Sequence, residues 1–254
     1  MPADLDSLRY FRQLHGRFAE ILRASSTGFA GEASATGLSA ALLSTACQSF
    51  DANVAHQTEG QPPLDCGRGC ATCCTLRVTA TAPEVLWLAA FIRAITPGLM
   101  QHGIDLRAQV ERAHAVTQGL GERERVASRQ RCPFIARGVC VVYQVRPLAC
   151  RGLASHDRRA CARAASGQAD DIPYSEPHMR MRGLVQNAMQ SALRDAGLSW
   201  LAYELNAALL IALDAPDAAE RWWHGEDVFA AAQVCDVDPA EMADTFDQIK
   251  ALPA

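Results

Sequence analysis

Within nine residues the chain carries four cysteines, Cys66-x3-Cys70-x2-Cys73-Cys74, and Cys132, Cys140, Cys150 and Cys161 follow. Thiolates are soft ligands that select zinc, iron or copper(I), and gaps of two or three residues let one backbone turn present several sulfurs to one ion. The spacing therefore points to a metal centre before anything else in the chain has been considered.

The competing use of clustered cysteines is a disulfide framework, which belongs to oxidising compartments. The N-terminal stretch MPADLDSLRYFRQLHGRF lacks the basic-then-apolar pattern of a secretory signal. The longest apolar run, Ala207 to Leu213, falls far short of the roughly 20 residues a membrane span requires. A cytoplasmic location is expected, with the thiols reduced and available to metal, and no membrane partner. A length of 254 residues with 49% hydrophobic and 20% charged content is enough for one sizeable core or two small ones, and excludes a disordered chain.

Net charge is −4, unevenly placed. Between Cys66 and Arg163 stand 15 arginines and 6 acids, a net +9, which leaves −13 for the remainder. Such a segment can mark nucleic-acid binding, but interleaved aromatics and a recognisable motif are absent. Excess negative charge on ionised thiolates gives a nearer reason for the arginines, which can neutralise it and hydrogen-bond the sulfurs. The expected partner is a metal ion, a protein partner is left open, and nucleic acid is not expected.

If residues 66–74 were helical, the four sulfurs would fall at about 0°, 40°, −20° and 80° around the axis, on one face. Gly67 and Gly69 argue for a turn leading into a helix instead, with the same convergence. Cys73 and Cys74 are the awkward pair, since neighbouring side chains diverge. Either one of them packs as a small hydrophobe or the two serve different ions. Cys132, Cys140 and Cys150 supply further ligands from a distant segment, and Cys161 is a candidate eighth. Cys47 and Cys235 stand singly in apolar stretches that read as helix, and are expected to be structural. His156 and His178 are possible ligands, although isolated histidines are more often surface or hydrogen-bonded groups. Arg146 and Arg151 bracket Cys150 and read either as donors to thiolate or a bound anion, or as structural salt bridges. Tyr143 reads as a packing residue.

The pattern of the remaining residues is helical. Leu5, Leu8, Phe11, Leu14, Phe18 and Leu22 predict an amphipathic helix over 4–24, and Leu42, Leu43, Ala46, Phe50 and Val54 a second over 38–57. Ser25 to Gly37 reads as a loop, and Gln61-Pro62-Pro63 stops the second helix. Leu76–Thr79 reads as a short extended stretch. Thr81-x-x-Glu84 with Pro83 is a helix start, and the helix it opens buries Val85, Leu88, Ala89 and Ile92. Residues 104–130 have helical composition. Cys132–Ile135 and Val139–Tyr143 flank a turn at Arg137-Gly138 and predict a hairpin or strand-like knuckle. After a loop over 167–177, helices are expected near 178–196, 199–213, 216–223, 226–235 and 239–251. The expected fold is mostly α, a helical bundle around an irregular cysteine-rich centre with at most a short β-hairpin. Its parts are N-terminal helices over 1–60, a cysteine-cluster region over 61–165 and a C-terminal helical region over 166–254, joined as one continuous domain.

Two resemblances bear on function. Cys66-x3-Cys70-x2-Cys73 has the cysteine spacing of the radical S-adenosylmethionine enzymes. Those place the motif after a first barrel strand and an aromatic before the third cysteine, whereas here a Pro-rich linker precedes it and Thr72 stands before Cys73. The runs CGRGCATCC and CPFIARGVCVVYQVRPLACRG together resemble the YkgJ-type cysteine-cluster family. The match lies at Cys66, Cys70, Cys73, Cys74, Cys132, Pro133, Phe134, Cys140, Tyr143, Arg146, Pro147, Cys150 and Arg151. One departure is the three-residue gap between Cys66 and Cys70, where the family shorthand has two. The resemblance implies a domain that chelates zinc or iron, with an iron–sulfur cluster such as 4Fe–4S among the forms open to it. Flagellin lysine N-methylases are similar in the cluster but larger, and the strand and Gly-rich turn that bind S-adenosylmethionine are not evident here. Three roles follow as expectations: a zinc- or iron-binding protein, a metal- or cluster-dependent modifying enzyme of methylase type, and a metal carrier or thiol redox sensor.

Overall fold

Apolar residues at every third or fourth position build the two N-terminal helices, α1 (Leu5–Ser26) and α2 (Glu32–Gln57). The computed structural model describes residues 5–26, 32–67, 69–168 and 171–252. Phe11, Leu14, Phe18 and Leu22 of α1 are buried, as are Leu42, Leu43, Ala46, Phe50 and Val54 of α2. Their partners come from α3 (Ala82–Gln101) and α8 (Glu176–Asp195): α1 packs on α8, and α2 on both α3 and α8. Val85, Leu88, Ala89 and Ile92 of α3 face this core, together with Val185, Met189 and Leu193 of α8. Each fully buried large side chain contributes about 1.5–3 kcal/mol, so apolar burial holds this helical body together.

A short antiparallel sheet organises the other side. β1 (Thr79–Thr81) pairs with β4 (Ala202–Glu204) in the register Thr79↔Glu204, Ala80↔Tyr203 and Thr81↔Ala202. Each strand ends in a helix cap. Thr81 and Glu84 form the capping box that starts α3, and the Glu204 carboxylate accepts from the Ala207 N–H to start α9 (Leu205–Asp214). The pairing thus fixes where two core helices begin, and α9 lies across α3 and α4 (Leu106–Thr117). After α5 (Glu122–Ser128) the chain forms the hairpin β2 (Ile135–Ala136) and β3 (Val139–Cys140), then the short helices α6 (Leu148–Arg151) and α7 (Arg158–Ala165). Beyond α9 come α10 (Ala218–Trp223) and α11 (Pro239–Ala251). The architecture is mostly helical, with two small two-stranded antiparallel sheets among the described residues.

The structure corrects several expected boundaries. α2 begins at Glu32, inside the stretch read as loop, while residues 27–31 of that stretch lie outside the described residues. Residues 226–235 are not helical. Ala230–Ala232 makes one 3₁₀ turn, and the backbone that follows bonds to β4 instead, through Val234 N–H to the Ala202 carbonyl and a bridge between Tyr203 and Gln233. Within 199–213 the first part pairs as β4 before α9 begins. No helix among the described residues is long and apolar enough to cross a membrane.

Candidate metal centre

The cysteine turn is built from successive tight hydrogen bonds. Cys70 N–H donates to Gly67, Cys74 N–H to Ala71 and Leu76 N–H to Cys73, the last two framing a 3₁₀ turn over Thr72–Thr75. Gly69 occupies the left-handed region at φ +90, which a glycine adopts without steric cost. None of Thr72–Thr75 is buried. The turn is thus half-buried, with none of its residues fully enclosed, in contrast to the core faces of the helices.

Two other segments are tied to the turn. On one side, Asp65 N–H donates to the Ser155 carbonyl at 3.1 Å, Arg158 N–H to Asp65 Oδ2 at 2.9 Å, and Ser155 N–H to the Cys66 sulfur at 3.2 Å. Asp157 caps α7 by accepting from the N–H groups of Arg159 and Ala160, and α7 brings Cys161 against the 3₁₀ turn. On the other side, Cys132 N–H donates to the Cys74 carbonyl at 2.7 Å. The β2–β3 pairing sets Cys140 opposite Ile135, and α6 carries Cys150. Gly69 at the head of the turn lies against the hairpin tip, where an added Cβ would stand 4.0 Å from the Gly138 carbonyl.

A buried carboxylate orients the Cys150 segment. One oxygen of Glu84 accepts from the Thr81 N–H and hydroxyl at 2.7 and 2.8 Å, while the other accepts from Leu148 N–H, at the start of α6, at 2.7 Å. Arg151 completes the clamp with bonds to the carbonyls of Gln144 and Arg146 and an ion pair with Asp51 of α2. Gly152 is needed next to it: an added Cβ would come within 2.7–2.8 Å of the stem of Arg182.

The electrostatics of the thiols report the same gathering. Contact with Cys74 and then burial push the Cys73 thiol far up, and burial followed by the charges of Cys132, Cys73 and Cys140 does the same to Cys150. Burial takes Cys132 up to about 11, with Cys140 and Cys73 adding to it. Cys66 is raised by burial and then by Cys70, Cys73 and Cys161, against the opposing Ser155 N–H. Burial also raises Cys140. Arg146 lies close enough to favour the thiolates of Cys73, Cys140 and Cys150, and its guanidinium sits 3.7 Å above the ring of the exposed Tyr143. Thiols whose ionisation is opposed by burial and by one another are what a bound cation can bring to the thiolate form.

All eight clustered cysteines thus come from segments that meet around the turn. Among the described residues, no three His, Cys, Asp or Glu side chains converge at ligating geometry. None of the ten cysteines forms a disulfide. The other candidates have their own partners: the His156 ring bonds the Pro63 carbonyl, and His178 bonds Ser175 Oγ and meets Phe50 edge-on. Cys47 is buried on α2, where burial takes its thiol up to about 11, whereas Cys235 is exposed in a loop and not in a helix. Asp65, Ser155 and Glu84 tie the site together. Of these, only the local capping role of Glu84 left a signal in the sequence.

Comparison with known proteins gives one match. Residues 65–168 fit the family model CxxCxxCC, described as "Putative zinc- or iron-chelating domain". No curated protein and no solved structure matches the chain significantly.

Proposed function

We propose, from the match of residues 65–168 to the CxxCxxCC family model, that the chain binds zinc or iron through the thiolates of Cys66, Cys70, Cys73, Cys74, Cys132, Cys140, Cys150 and Cys161. The observation that carries the reading is the meeting of the segments that bear these cysteines around a turn with no fully buried residue. Apolar burial does little for such a turn, and a bound cation would supply the missing cohesion. Structural zinc contributes on the order of 10–16 kcal/mol in small peptides. The donor set fits a thiophilic ion by its chemistry, since the side chains gathered are thiols with a cationic Arg146 beside them.

The chain's own residues have definite tasks in this reading. Each ligating thiol gives up its proton to become thiolate. The Ser155 N–H stabilises the charge on Cys66, and Arg146 offsets that on Cys73, Cys140 and Cys150. Glu84 and Arg151 act on backbone, holding the segment from Gln144 to Cys150 in place. A reducing compartment such as the cytoplasm would keep the thiols available.

Replacing Cys70 by serine tests the reading. Metal content and melting temperature should fall together; unchanged metal content removes Cys70 from the set, and unchanged content across all eight serine variants overturns the proposal. A modifying-enzyme role has one feature in its favour, a small cleft lined by Cys74, Cys132 and the half-buried Arg125–Glu204 pair. It requires a co-substrate, and calorimetry with S-adenosylmethionine showing no heat of binding would count against the methylase form.

A further inference from the structure

Eight gathered thiols exceed what one centre uses. A structural zinc takes four ligands in a tetrahedron, and a cubane iron–sulfur cluster is likewise held by four cysteines. Two separate sets of hydrogen bonds tie these segments together. Asp65 and Cys66 are laced to Ser155 and Arg158 by three hydrogen bonds, among them Ser155 N–H to the Cys66 sulfur, and α7, which carries Cys161, packs on the 3₁₀ turn. The 132–150 segment is tied separately, through Cys132 N–H to the Cys74 carbonyl, the β2–β3 register that sets Cys140, and the Glu84 bond to the start of the helix bearing Cys150.

From this juxtaposition, and resting on the metal-binding reading above, we infer that the chain holds two separate four-thiolate centres, one on Cys66, Cys70 and Cys161, the other on Cys132, Cys140 and Cys150, with Cys73 and Cys74 divided between them. Adjacent side chains diverge, so a Cys-Cys pair can serve two neighbouring ions where it could hardly serve one. Two ions each bound by four thiolates carry a combined charge of about −4 if both are divalent. The segment from Cys66 to Arg163, at a net +9 from 15 arginines and 6 acids, is suited to hold that charge.

The test is zinc titration of the reduced full-length chain, with bound zinc measured by elemental analysis and free thiols alkylated and mapped by mass spectrometry. The wild-type chain should hold two equivalents of zinc. Cys161→Ser should hold one, leaving Cys132, Cys140 and Cys150 protected while Cys66 and Cys70 become alkylated. Cys140→Ser should give the reverse pattern. Peptide mapping keeps the test decisive if either variant loses stability, because protection on the untouched side persists only when the centres are independent. One equivalent in the wild type, or loss of protection at all cysteines in each variant, overturns the division and leaves metal binding intact. No retained zinc in the wild type, with all eight thiols alkylated alike, overturns the division and removes zinc from the metal-binding reading as well.

Discussion

Glu84 ties the segment that carries Cys150 to the helical body. Its carboxylate is 2% exposed and has donors on both oxygens, so it joins the start of α3 to the start of α6. Glu84→Gln turns one acceptor into an N–H that faces another N–H. It should cost about 1–3 kcal/mol in denaturant unfolding, the range for leaving a buried polar group unsatisfied. It should also weaken metal retention through the Cys150 segment; equal stability and metal content would show that the bond to Leu148 is dispensable. Gly152→Ala should cost about 1–3 kcal/mol by overpacking against Arg182, measured in the same way. The capping box was legible because Thr81 and Glu84 are three residues apart. The bond to Leu148 was not, because nothing local marks a partner 64 residues away. Arg151 illustrates the same limit: its partners, Asp51 and the carbonyls of Gln144 and Arg146, are set by packing and not by its place beside Cys150.

Among the elements, the hairpin that sets Cys140 was the most readable. Arg137 and Gly138 both take positive φ, at 50° and 80°, the signature of a tight turn matched to strand twist. Gly138→Ala should therefore cost about 1–2 kcal/mol in unfolding experiments, without disturbing α1, α2 or α8; no loss of stability would mean that the turn tolerates a side chain. Helix α7 is missing from the expected elements, although Asp157 offered a cap, because only eight residues follow it and they show no long apolar stripe. The opposite error occurred at 226–235, where alanine-rich composition read as helix but β4 claimed the backbone hydrogen bonds. Pairings such as β1 with β4 join residues more than a hundred positions apart, and three-residue strands carry too little alternation to be read alone.

Across the whole molecule, two kinds of cohesion operate side by side. The apolar core runs through α1, α2, α3, α8, α9 and α10, whereas the cysteine turn stands outside it. Removing bound metal with a chelator should therefore lower the melting temperature while far-ultraviolet circular dichroism retains most of the helical signal. Collapse of that signal would mean that the core depends on the centre. The C-terminal helix α11 joins the core through the buried Phe246 and adds ion pairs of Arg194 and Lys250 with Asp195 and Asp247. These partners hold Asp247 at about 2, below its ordinary 3.8, so its contribution is present above pH 4 and is lost as pH falls towards 2. Trp200 meets Phe246 of α11 edge-on, and its fluorescence should change over that window as the helix loosens. A signal that stays flat from pH 4 to 2 would show that apolar contacts alone hold α11.

The central claim is that clustered thiolates hold a metal, and elemental analysis with an ultraviolet–visible spectrum, on protein purified without oxygen, tests it most directly. Stoichiometric zinc in a colourless protein, or iron with acid-labile sulfide in a brown one, is the predicted result. The first would favour a structural or regulatory centre and the second an electron-transfer or catalytic one. Protein that emerges with neither zinc nor iron, and takes up neither when reduced and supplied with them, would contradict it.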